Sequence, residues 1–164
     1  MQNVILIGMP GSGKTTIGTE LAEKLGYGYI DSDSVIVARE GKRLPEIIAA
    51  VGREKFLDIE AKVNSELCAN RCVIATGGSV IYREAAMQKL KTMGKVVYLK
   101  LSLDTINARL GDLKARGVAV KDGFTLKDLY KERAPLYEKY ADITVELDGK
   151  TIMQSVLTVA EELK

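Results

Sequence analysis

The chain has 164 residues and a mass of 17.9 kDa, the size of one domain that buries a core without a disulfide or metal staple. Charged residues are 28% of it, and the 24 basic and 22 acidic side chains interleave to a net +2, which is no clustered basic footprint for duplex nucleic acid. Histidine is absent, excluding Ser-His-Asp, Cys-His and His–metal chemistry, and no apolar run approaches the ~20 residues of a membrane span.

Residues 1–6 run straight into a strand-like stretch with no basic leader, so no signal peptide is expected, and a cytoplasmic protein is. Val4-Ile5-Leu6-Ile7 reads as a buried strand stopped by Gly8. Over 15–25, Ile17, Leu21, Ala22 and Leu25 recur at helical spacing before Gly26 ends the helix. A second strand over 27–30 runs into Asp31, followed by a long helical stretch broken near Arg43-Leu44-Pro45 and at Gly52. Cys68 and Cys72 lie four apart; two thiolates cannot close a tetrahedral shell, so both read as small buried hydrophobes. Strands follow over 72–75 (ending at Gly77-Gly78), 96–101 and 143–147. The segment 151–163 carries Ile152, Val156, Val159 and Leu163 on one stripe that packs on the sheet. No spare apolar stripe is evident, which points to a monomer. Seven scattered tyrosines and no tryptophan make no base-stacking platform.

Strands alternating with helices predict an α/β, three-layer fold: a five-stranded parallel sheet with helices on both faces. Ligands bind such sheets at the C-terminal strand ends. Here those ends carry Gly8, Asp31-Ser32-Asp33 and Gly77-Gly78-Ser79.

Gly8-Met9-Pro10-Gly11-Ser12-Gly13-Lys14-Thr15 matches G-x-x-x-x-G-K-[ST] between a strand and a helix, the context that motif requires. Its glycines let backbone N–H groups converge on phosphate oxygens at a helix N-terminus. Gly11, Ser12, Gly13, Lys14, Thr15 and Thr16 are the candidate nucleotide-binding residues, with Lys14 on the β- and γ-phosphates and the Thr15 hydroxyl on Mg²⁺. No N-K-x-D or D-x-x-G string occurs, which argues against a GTPase. A small-molecule kinase using ATP and Mg²⁺ fits the size and the motif.

With that cradle, Asp31-x-Asp33, the Gly77-Gly78 turn and Arg133-Ala134-Pro135-Leu136-Tyr137, the sequence resembles the shikimate kinase family along almost its whole length. The resemblance implies a nucleoside monophosphate kinase-like fold over 1–164, an acceptor-binding helical segment near 33–61 and a lid near 111–123. It implies transfer of the γ-phosphoryl of Mg-ATP to the 3-hydroxyl of shikimate. Asp31 would hold the Mg²⁺ water shell, and Asp33 would take the acceptor's proton. Arg109 would stack on adenine, Arg116 would swing over the phosphates, and Arg133 would clamp the acceptor carboxylate. Lys14, Asp33 and Arg116 are then the catalytic set, and Asp33, Phe56, Gly77, Gly78, Ser79 and Arg133 line the acceptor.

The chain departs from the family at three points. The lid's usual R-P-L-L reads Arg116-Gly117-Val118-Ala119, and the triple-glycine turn ends in Ser79. In the G-E-x-x-F-R-x-x-E helix, Gly52, Phe56 and Glu60 fit, but the second clamp arginine is Leu57. Removing one partner of a desolvated charge pair costs about 2–5 kcal/mol. Arg53, one turn before Leu57 on the same face, is one candidate replacement. A kinase for another polyol or hydroxy acid is the alternative, as is a nucleotide-binding module that has lost its acceptor.

Overall fold

The first strand, β1 (Asn3–Ile7), is buried at all five positions, as an unbroken apolar run demands of a strand covered on both faces. In the computed structural model, which describes residues 2–110 and 118–164, β1 is the central strand of the sheet. With β2 (Gly28–Asp31), β3 (Cys72–Ala75), β4 (Gly94–Lys100) and β5 (Ile143–Glu146) it forms a five-stranded sheet in the order β2-β3-β1-β4-β5. Every pairing is parallel. Asp31 is in register with Ala75, Ala75 with Leu6, and Leu6 with Val97, so β1, β2 and β3 end within a residue of one another while β4 runs on to Lys100. Everything that follows β1, β2 and β3 therefore opens on a single cleft.

Helix α1 (Lys14–Leu25) covers the sheet with Ile17, Gly18, Leu21 and Ala22, and Gly26 closes it by donating to the Ala22 and Glu23 carbonyls. The long helical stretch is three helices: α2 (Ser32–Glu40), α3 (Leu44–Val51) and α4 (Arg53–Ser65). Pro45 opens α3, where a missing N–H costs nothing, and Gly52 separates α3 from α4. These helices enclose a second apolar cluster of Ile36, Ile47, Phe56, Leu57 and Val63, completed by Ala119. A 3-10 turn at Val80–Tyr82, α5 (Glu84–Met93) and α6 (Leu103–Arg109) lead towards α7 (Leu126–Tyr140) and α8 (Ile152–Glu162).

Three expectations are corrected. Cys68 is exposed and Cys72 half-buried, because α4 ends at Ser65 and Leu67 takes the inward place in the connection. The fourth strand begins two residues earlier than predicted, at Gly94, which lies opposite Asn3 with no room for a Cβ against that residue's backbone. Helix α8 buries Val156, Val159 and Ala160 but leaves Ile152, Met153 and Leu157 to solvent, an outward apolar stripe that the sequence reading missed. Among the described residues no helix is long and apolar enough to cross a membrane.

Candidate active site

The loop after β1 bends through Gly11 (φ 81°) and Gly13 (φ 92°), left-handed conformations that a side chain resists. The Ser12 N–H donates to the Met9 carbonyl at 3.1 Å, and Gly13 caps α1 without a side chain. The first N–H groups of α1 thus remain available to an anion. Lys14 Nζ folds back over the loop and donates to the carbonyls of Gly8 (2.7 Å) and Met9 (2.9 Å). Desolvation lowers its pKa to about 8, against the pull of Asp33, so a cation with two carbonyl hydrogen bonds is held in a site that favours its neutral form until an anion compensates it. Arg109, in the last turn of α6, donates to the Gly11 carbonyl at 3.1 Å and borders the loop.

Opposite the loop stand three acids. Asp31 caps α2, its Oδ1 accepting from the N–H groups of Asp33 (3.0 Å) and Ser34 (3.4 Å). Asp33 enters the cleft from the first turn, and its buried Oδ1 has no partner among the described residues. Burial, and secondarily the charge of Asp31, push its pKa up to about 6 despite Lys14. Glu60, on α4, is buried, and its Oε1 accepts a 2.7 Å hydrogen bond from Ser79. Burial pushes Glu60 up to about 8, with Ser79 opposing. A Cβ on Gly77 would lie 2.6 Å from Glu60 Oε2 and 2.7 Å from Asp33 Oδ1, so only a glycine fits where both carboxyls converge.

Arg133 closes the far end. It is fully buried, with Nε donating to the Tyr82 hydroxyl (3.2 Å) and Nη2 to the Ala119 carbonyl (2.9 Å). Its Nη1 is buried without a partner among the described residues. Four residues on, the Tyr137 hydroxyl donates to the Gly78 carbonyl at 2.6 Å. The R-x-P-L-Y segment therefore presents one helix face to the glycine turn.

These groups enclose a cavity of about 420 Å³. Gly11, Gly13, Lys14, Thr15 and Thr16 line it on the loop side, and Asp31, Asp33, Phe56, Gly77, Gly78, Ser79 and Arg133 across from them, with Arg109 also in the lining. Thr15 and Asp31 both line that cavity, from facing sides. This suits Mg²⁺, which keeps several waters and takes one or two protein oxygens beside substrate phosphates rather than a full protein cage. Ser12 is buried beneath the loop and does not line the cavity. Arg53 does not line it either: its guanidinium lies 4.9 Å from the Tyr82 ring centroid, pairs with Glu54 and stands 4.0 Å from Glu132. It reaches Arg133 only through Tyr82, which both guanidinium groups flank. Leu57 is buried in the second apolar cluster. Arg116, and the 111–117 part of the expected lid, lie outside the described residues.

Sequence reasoning did not place Glu60, Tyr137 or Ala119 in the site. The first two stood in the quoted patterns as the terminal Glu of one and the terminal Tyr of the other; Ala119 fell within the expected lid near 111–123, with nothing to announce its carbonyl's bond to Arg133.

The Glu60 shift has a sign that can be measured. Its folded pKa exceeds the ordinary value, so the folded chain keeps a proton that the unfolded chain releases, and stability falls as pH rises between about 4.5 and 8. Glu60→Gln removes this loss. Denaturant unfolding at pH 5 and pH 8 should show the variant's stability relative to wild type rising by about 3 kcal/mol across that interval; a constant difference would mean an ordinary carboxyl.

Comparisons with known proteins point to one family. A protein-family model described as shikimate kinase matches residues 10–164. The shikimate kinase of Pseudomonas paraeruginosa is 39% identical over 167 aligned positions, covering 100% of this chain and 97% of the relative. That of Thermodesulfovibrio yellowstonii is 37% identical, covering 92% of this chain and 88% of its own. Among solved structures, Acinetobacter baumannii shikimate kinase in complex with shikimate superposes with a TM-score of 0.86 at 30% identity, over 99% of this chain and 93% of that one. Thymidylate kinase from Candida albicans (TM-score 0.60, 16% identity, 99% and 90% covered) shares the fold alone.

Proposed function

Because the chain belongs to the shikimate kinase family, we propose that it moves the γ-phosphoryl group of ATP onto the 3-hydroxyl of shikimate. What carries the reading is one juxtaposition: the Asp33 carboxyl, with its Oδ1 buried, and the fully buried Arg133 guanidinium open into the cavity that the phosphate-binding loop walls. An alcohol needs an acceptor for its proton, and a carboxylate suits a planar guanidinium with a free N–H.

The loop N–H groups and the α1 N-terminus would hold the nucleotide's phosphates, Thr15 and Asp31 the Mg²⁺, and Arg109 the side of the base. When bound, Mg-ATP supplies the electrophilic phosphorus and the metal's share of charge neutralisation. The chain supplies the rest. Lys14 exchanges the Gly8 and Met9 carbonyls for phosphate oxygens. Asp33 receives the hydroxyl proton at Oδ1, the oxygen left without a partner. Arg133 anchors the acceptor carboxylate through Nη1. Residues 33–61 serve as the acceptor-binding segment and 111–123 as the lid, with Arg116 reaching the transferring group. The protein works in the cytoplasm.

A coupled ADP-release assay with shikimate and a panel of polyols and hydroxy acids tests this. Shikimate should give the highest kcat/KM. A neutral polyol preferred over shikimate would mean a different acceptor, and ATP binding with no stimulated turnover would leave a nucleotide-binding module.

A further inference from the structure

The Ser79–Glu60 pair has no task in the transfer just described, although both residues line the cavity and both are buried. Among the described residues no lysine or arginine lies within 4.0 Å of Glu60. One turn before it on α4, Leu57 points into the apolar cluster rather than offering a cation. A hydroxyl, at 2.7 Å, is what holds this acid. The hydroxyl meets Oε1 only, leaving Oε2 beside Asp33 Oδ1 above Gly77.

We propose that Ser79 is a positioning residue for acceptor specificity: it donates to Glu60 Oε1 and so presents Oε2 to a hydroxyl vicinal to the one that Asp33 deprotonates. The inference rests on the kinase reading above. An oxygen that already accepts from Ser79 is the poorer site for a carboxylic proton, so the proton of the neutral acid sits on Oε2, the oxygen able to donate into the cavity. The remaining charges facing Glu60 do not compete for that role. Lys14 and Arg133 favour its anion and Asp33 opposes it, while burial, the largest influence, keeps the acid neutral at the lower end of the working pH range. Tyr137, whose own titration responds to Glu60, is committed to the Gly78 carbonyl. The chemical class so selected is a carboxylic acid bearing a vicinal diol.

Ser79→Ala and Ser79→Gly test this with three readouts. The infrared band of the buried neutral carboxyl, identified by its loss in Glu60→Gln, should titrate at higher pH in both Ser79 variants of the free protein, because the hydroxyl that stabilises the anion is gone. With shikimate, the acceptor KM should rise about tenfold while the ATP KM holds, the loss of one buried hydrogen bond. Shikimate lacking the neighbouring hydroxyl should be about tenfold poorer for wild type and nearly indistinguishable from shikimate for Ser79→Ala. An unmoved band, an unchanged acceptor KM, or equal discrimination by wild type and variant would overturn the assignment. If wild type does not turn over shikimate at all, the kinase reading falls on its own, and the infrared titration alone decides Ser79.

Discussion

Asp33→Asn lowers kcat for the acceptor by two to four orders of magnitude while ATP affinity stays within about threefold of wild type. The size follows from what remains. Asparagine has the same shape, still sits two residues past the α2 cap and leaves the loop untouched, yet it cannot take a proton. Calorimetric ATP titration and steady-state kinetics separate the two quantities. A loss of less than tenfold in kcat would remove Asp33 from the proton path and leave Asp31 or the nucleotide itself to be considered.

Arg133→Lys raises the acceptor KM by about 30- to 1000-fold with a smaller effect on kcat, although the charge is kept. The guanidinium makes three separate engagements in a space closed to water: Nε with Tyr82, Nη2 with Ala119, and Nη1 towards the cavity. An ammonium, a single point of charge on a longer flexible stem, cannot meet all three. Thermal melts should show a few degrees of destabilisation, because the Tyr82 hydroxyl and the Ala119 carbonyl lose buried partners. A KM within threefold of wild type would mean that the acceptor's carboxylate is held elsewhere. Arg53, which shares the Tyr82 ring, is then the first residue to substitute.

Most of the fold was legible because its signals are local. An apolar, β-branched run makes a buried strand wherever it pairs, and Gly26 or Pro45 punctuates a helix by backbone geometry alone. The phosphate loop is the extreme case, its glycines, lysine and threonine being contiguous. The acids could be recognised in part: Asp31 caps the helix that carries Asp33, so two residues of spacing already divide their duties. What escaped depends on contacts between distant segments. Nothing at Ser79 announces a bond to a residue 19 positions earlier. Nor does Arg53, one turn from Leu57, reveal that it turns to Tyr82 rather than to the cavity. Cys68 lies outside the core because α4 stops at Ser65, three residues before it, and residue type alone does not show where a helix ends.

The Ala119 carbonyl that accepts from Arg133 is the chain's own ligand, occupying one prong of a fork built for two oxygens. A carboxylate held through Nη1 leaves that bond in place, and Ala119, a member of the apolar cluster that contains Phe56 and Leu57, keeps the guanidinium aimed before the acceptor arrives. The ordering that capture would otherwise impose on a long side chain is thus already present in the free protein.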